Sequence, residues 1–288
     1  MTRTLVATVV LLAPNVGLAD VLDVQHVTDD VWAIVGPTEQ RNPENLANNA
    51  TFGLVVTPEG AVLMDPGGSW QGAEMLHEAI RTVADQPVRY VIDTGGQDHR
   101  WLGNGYWQAQ GATVIASQAA VEDHRARAEE HLIALSQFLG DELDGTEPAY
   151  ADVTFETDYT LEFGGFSFEI MHRGAAHTPG DSFVWLPADG VVVTGDIVYF
   201  GRVLGVKDHS DSKSWLKAFA AVEALDPVHV VPGHGPPTTM DRARADTRDY
   251  LAYLYGRVSV PILKRAGRST VQFRSISLPS PTSTCSRP

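Results

Sequence analysis

The sequence predicts an α/β protein made of two β-rich halves, each followed by helices, and three observations carry that reading. Short apolar runs split by glycine-containing turns occur twice, near residues 52–64 and 159–170, which is the pattern of hairpins. A compact apolar run over residues 88–92 is followed by a loop, a helix-like stretch and a second run over 112–116. That strand, loop, helix, strand order belongs to an α/β layer. Helical spacing then fills residues 121–139 and returns at 212–224.

Taken in order, Val31-Trp32-Ala33-Ile34-Val35 reads as a strand, and a turn-rich polar insert runs from there to Asn49. The runs at 52–56 and 61–64 flank Thr57-Pro58-Glu59-Gly60, a turn sequence. Asp65-Pro66-Gly67-Gly68 closes that unit, and Ala73, Leu76, Ala79, Ile80 and Val83 follow at helical spacing. After the helix at 121–139 an acidic loop, 140–152, leads to a second hairpin whose strands, 159–163 and 166–170, flank Gly164-Gly165. Strand-like runs at 181–186 and 190–196, the helix at 212–224, a strand ending in the turn at 232–236, and a helix at 241–255 complete the pattern.

With 288 residues, 43% apolar and 20% charged, the chain has the composition of a globular protein with a sizeable core. Its formal net charge of −15 argues against a nucleic-acid or anionic-membrane partner, because phosphate backbones are bound mainly by lysine and arginine. Residues 1–19 have the three regions of a cleavable secretory signal: Arg3, an apolar run, and Gly17-Leu18-Ala19. The mature chain is therefore expected to begin near Asp20, to be periplasmic or secreted, and to lack membrane insertion once the signal is removed. The apolar run falls short of the roughly 20 residues that span a bilayer. Cys285 stands alone, so no internal disulfide can form. One domain is expected over 20–255. All 36 acidic residues lie at or before Asp249, and the basic stretch 256–288, rich in Ser, Pro and Thr at its end, is expected to be poorly ordered and carries no assigned function.

Four separated segments each place a metal-type ligand at a tight turn after an apolar strand: Asp98-His99, His177, Asp196 and His234. Imidazole nitrogen and carboxylate oxygen suit zinc and other borderline divalent ions. A ligand at a strand end is held rigidly, and adjoining glycines let backbone approach closely. Each segment alone is a weak signal, since a histidine or aspartate beside glycine is more often a turn or capping residue.

Together and in this order the segments resemble the metallo-β-lactamase superfamily, over about residues 24–255. That family's pattern is H-x-H-x-D-H after one strand, then a histidine as in Ala176-His177-Thr178-Pro179-Gly180, an aspartate as in Thr194-Gly195-Asp196, and a last histidine as in Pro232-Gly233-His234-Gly235. Asp65-Pro66-Gly67 is similar to its early aspartate-glycine turn. The resemblance implies a four-layer αββα sandwich of two mixed β-sheets flanked by helices, with a metal cleft at one edge. It implies a zinc-dependent hydrolase acting on an ester, thioester, lactone or amide bond, β-lactam-like bonds included, of a small-molecule substrate. Metal-activated water would attack the carbonyl and the metal would stabilise the oxyanion. The run from Asp98 to Asn104, with the leader, is similar to exported members associated with quinoprotein and sulfur-oxidation systems.

Carried over residue by residue, Asp98, His99 and His234 make one metal position with Asp196 available as a bridge. His177 survives from the other, whose two further histidines are replaced in Thr94-Gly95-Gly96-Gln97, a segment that reads as one residue short. Asp98, Asp196 and His177 are the expected catalytic groups. Three readings stay open: one main ion, a second ion bound weakly with Gln97 substituting, or a non-catalytic exported binding or accessory protein that keeps the fold. A di-iron redox centre would need the missing ligands. Gly95 and Gly96 are expected to free volume at the site floor. His172 stands near enough in sequence to approach the site and His209 is placed for a substrate contact. Trp101 is assigned to the core, and His26, His77, His124, His131 and His229 to packing or surface positions.

Overall fold

The computed structural model describes residues 21–259; the leader and nearly all of the tail lie outside the described residues. A first sheet is laid down in chain order: β1 Asp23–His26, β2 Val31–Val35, β3 Thr51–Thr57, β4 Gly60–Met64, β5 Val88–Asp93, β6 Thr113–Ser117 and β7 Val153–Phe155. Pairing is antiparallel from β1 to β4 and parallel from β4 to β7. The second sheet has the order β12-β11-β10-β9-β8, with β8 Asp158–Phe163, β9 Phe166–His172, β10 Ser182–Leu186, β11 Val191–Val193 and β12 His229–Val231. Only β11 and β12 run parallel there, joined by a crossover.

Helices cover both outer faces: α1 Trp70–Ile80, α2 Asn104–Ala109, α3 Gln118–Leu139, α4 Ser212–Glu223, α5 Met240–Ala243 and α6 Tyr250–Leu254. Ser69 starts α1 by accepting from the Gly72 amide, and Asp211 starts α4 by accepting from Lys213 and Ser214. The helix expected over 241–255 is present but broken by wide turns at Arg244–Asp249, and helical turns continue through Ser259, past the expected domain end.

Three apolar layers bind the sandwich. Val55, Val62, Met64, Ile92 and Ile115 of the first sheet face Phe168, Ile170, Val184, Val193 and Val231 of the second. Phe52, Leu54, Leu63 and Val91 on the outer face of the first sheet pack on Met75, Leu76 and Ile80 of α1 and Trp107 of α2. Phe183, Val192 and Val230 pack on Trp215, Phe219 and Val222 of α4 and on Leu251. Strands covered on both faces need apolar residues at successive positions, which is why β3 and β4 read as continuous apolar runs rather than alternating ones. The αββα architecture is thus the one expected. β7 is an addition: its three residues are too few for a periodic signal, and the parallel register Ile115↔Val153 places it at the first sheet's edge. Among the described residues no helix is long and apolar enough to cross a membrane.

Candidate metal centre

Five connections meet at one edge of the sandwich. Asp65 follows β4, residues 94–100 follow β5, His177 lies between β9 and β10, Asp196 follows β11 and His234 follows β12. Among them His99, Asp196 and His234 offer ligand atoms that all lie within 4.8 Å of one another. His234 Nε2 is 3.2 Å from Asp196 Oδ1, and His99 Nε2 is 3.6 Å from Asp196 Oδ2. All three side chains are buried, and His99 Nε2 and Asp196 Oδ2 have no hydrogen-bond partner. Ligand bonds of about 2.1 Å in a tetrahedral shell put neighbouring donor atoms about 3.4 Å apart, so this two-imidazole, one-carboxylate set fits a zinc-sized ion. Burial would raise the Asp196 carboxyl, but Arg100, His234 and His99 hold it well below the usual carboxylate range. Burial lowers His234 to about 3, which keeps its imidazole neutral, as a metal ligand must be.

Asp98 lies outside this cluster. Arg41 Nε donates to its Oδ2 at 2.6 Å and Arg41 Nη2 to its Oδ1. The Asp98 carboxylate also accepts the His99 amide at 2.9 Å and stands 3.2 Å from His99 Nδ1. Arg41 Nη2 stands 3.1 Å from the same Nδ1, so the Asp98–Arg41 pair together packs against that nitrogen and leaves Nε2 turned to the cluster. Burial opposes ionisation of Asp98, yet Arg41 and His99 hold its pKa well down. His177 lines the same cleft without joining the cluster: its Nδ1 is 2.5 Å from the Gly205 carbonyl and its Nε2 is 3.1 Å from Gln97 Oε1. Burial lowers its pKa to about 4.

Arg100 is the central residue that the sequence reading missed. Fully buried, it donates through Nη1 to Thr51 O at 3.1 Å and Asp65 Oδ2 at 2.6 Å. Through Nη2 it donates to Asp196 Oδ1 and Gly233 O, both at 2.7 Å. A Cβ on residue 233 would collide with the backbone carbonyl of Gly195 and stand 2.7 Å from Arg100 Nη2, so the Gly195 backbone, with the guanidinium behind it, requires glycine there. Asp65 is held at φ 72, in the left-handed region, by bonds from Thr94 N and Oγ1 at 2.8 Å. Counting the motif from Thr94 without a gap would have found Arg100. Gly95 and Gln97 then stand in place of the two histidines, His99 in place of the aspartate and Arg100 in place of the last histidine, so the segment is not one residue short.

The expectation of free volume at Gly95 and Gly96 is corrected. A Cβ at residue 95 would collide with the Asp181 carboxylate, and one at 96 with that of Asp123, which is paired with Arg127. Burial, with the charge of Asp196, pushes the Asp181 carboxyl up to about 8. Among the other histidines, His172 bonds the Asp181 carbonyl through Nδ1 at 2.8 Å, and the half-buried His209 has its ring 5.9 Å from that of His177. Trp101 is core. The cleft itself is a cavity of about 160 Å³ lined by Gln97, His99, His177, Tyr199, Arg202, Lys207 and His234, among others. Arg202 Nη1 reaches both Asn49 O and His234 Nδ1 at 3.1 Å.

The family model of the metallo-beta-lactamase superfamily matches residues 47–234. A type 2 metallo-beta-lactamase of Bacteroides fragilis is 22% identical over 230 residues, 78% of this chain and 84% of that protein. One from Elizabethkingia meningoseptica is 23% identical over 201 residues, 67% and 71% of the respective chains. Among solved structures, a metallo-beta-lactamase from Pontibacter korlensis superposes with a TM-score of 0.66 at 26% identity, covering 80% of this chain and 99% of that one. FIM-1 from Pseudomonas aeruginosa, in its mono-zinc form, gives a TM-score of 0.63 at 20% identity, covering 83% and 97%. With the profile spanning well over half of the chain, a sandwich of the same fold, and ligand-type side chains gathered at its edge, this protein belongs to the metallo-β-lactamase superfamily.

Proposed function

We propose that the protein is an exported hydrolase that works with one ion, best matched by zinc, held by His99, Asp196 and His234. The observation that carries this reading is the convergence of those three buried side chains with two ligand-type atoms, His99 Nε2 and Asp196 Oδ2, left without partners. Leader-like residues 1–19 support export. An ion in such a three-ligand site has an open position and lowers the pKa of a coordinated water toward about 7. The protein's own groups do the rest. Asp98, clamped by Arg41, holds the His99 ring in place. His177, with Nδ1 turned to the Gly205 carbonyl, keeps Nε2 on the cleft as a proton carrier. Arg202 and Lys207 on the wall favour a small polar or anionic substrate with an ester, thioester, lactone or amide bond.

A second reading, a metal-free binding protein, rests on the guanidinium groups of Arg41 and Arg202, each 3.1 Å from an Nδ1 of a cluster histidine. Metal analysis of purified protein separates the two. About one zinc per chain, lost in both His99→Ala and His234→Ala, supports the hydrolase; near-zero metal in all three proteins leaves the binding protein. A panel of ester, thioester and β-lactam substrates then reads activity.

A further inference from the structure

The turn that lacks the family's two histidines, at Gly95 and Gln97, opens with Gly95-Gly96, the least conformationally restricted dipeptide, three residues ahead of His99. Three of its four backbone polar groups are nonetheless held by side chains. Gly95 O lies 2.9 Å from His124 Nε2, Gly96 O accepts from Arg127 Nη2 at 2.9 Å, and Gly96 N donates to Thr178 Oγ1 at 2.9 Å. A carbonyl can only accept, so His124 carries its proton on Nε2. Arg127 is fixed in turn by Asp123, with Nε to Oδ1 at 2.7 Å, and its Nη1 is 2.9 Å from His131 Nε2. Helix α3 also grips the far side of His99: the Trp101 ring lies parallel to that of His124, centroids 4.6 Å apart, and Trp101 Nε1 stands 3.3 Å from His131 Nδ1. The network is fitted to glycine, since any Cβ at residue 96 would collide with Asp123.

We propose that Arg127 and His124 are positioning residues for His99, replacing with hydrogen bonds from α3 the fixation that the lost pair of histidines would have given this turn. The inference rests on the one-ion reading for its consequence, tighter zinc binding, but the geometry it asserts is independent of metal.

The test measures zinc affinity by competition with a chromophoric chelator, and the side-chain 15N–1H NMR signals of His99 in metal-free protein. The proteins are wild type, Arg127→Met, Arg127→Lys, His124→Phe, and Val121→Ala as a comparator. Val121 is buried on the same helix but packs with Ala116 and Ala120. Arg127→Met and His124→Phe should each weaken zinc binding about 10- to 100-fold, the range for loss of an outer-shell partner. Arg127→Lys should recover part of that loss. His99 signals should shift in the first two variants. Val121→Ala should lower Tm while leaving affinity and His99 signals unchanged. Affinities within about twofold of wild type, or an equal loss in Val121→Ala, overturn the inference. If wild type binds no zinc, the one-ion reading fails, and the His99 signals alone decide the positioning: unchanged in Arg127→Met and His124→Phe, they overturn it.

Discussion

Arg202 faces His234 with a group that can only donate hydrogen bonds. Holding an ion through His234 Nε2 requires the ring proton on Nδ1, where the guanidinium cannot accept it, so Arg202 has to withdraw. Gln in its place can accept that proton through Oε1. Arg202→Gln is therefore expected to tighten zinc binding, by about tenfold for a change of 1.4 kcal/mol. Lys207→Met, which removes a charge from the same cleft without touching His234, separates charge from hydrogen bonding in the same titration; equal gains in both variants would count against the account. Arg100 makes a contrasting case. Its guanidinium neutralises Asp65 and Asp196 with no exposure to solvent, so Arg100→Met should cost about 3–5 kcal/mol in denaturant unfolding, the range for stranding a buried charge. The sequence announced His99, His177, Asp196 and His234 because each sits in a glycine-marked turn at a strand end. Arg100 and Arg41 carry no such mark: their partners come from distant segments that only the folded sandwich brings together.

At the scale of elements, α3 is the least conventional helix. Its inner face carries Asp123, His124, Arg127 and His131, three of them at four-residue spacing, where an outer-layer helix usually presents apolar side chains. That spacing was visible in the sequence, but with no knowledge of what α3 packs against, His124 and His131 read as surface or packing positions. Burial lowers both to about 4, against about 6.5 in an unfolded chain. As pH falls from 6.5 to 4 the unfolded chain takes up protons that the folded one refuses, so stability is lost at up to about 1.4 kcal/mol per pH unit for each histidine. Asp181 acts in the opposite direction. Its folded value near 8 means that the folded chain keeps a proton the unfolded chain has released, and stability is lost as pH rises from about 4 to 8. Urea unfolding of metal-free protein should show a maximum near pH 6.5, and Asp181→Asn should flatten the decline between pH 6.5 and 8. A decline of undiminished slope in that variant would count against the burial argument.

For the whole molecule, the order of strands and helices was legible because doubly covered strands are written as apolar runs and their ends as glycine turns. Strand β7 and the side chains filling the front of the cleft were not, because neither has a local signature. Under the one-ion proposal, that filling makes the fold around the turn, as well as the turn itself, the obstacle to a second ion. Gly95→His/Gln97→His, which restores the spacing of the missing pair, should still bind one zinc per chain at saturation; two would show that the neighbours can give way. The most direct measurement is anomalous scattering at the zinc edge from crystals of the zinc-soaked protein. One peak is expected, about 2.0–2.2 Å from His99 Nε2, an Asp196 oxygen and His234 Nε2. A peak bonded to Asp98 or shared between His177 and Gln97, or no peak with all three side chains ordered, would contradict the account.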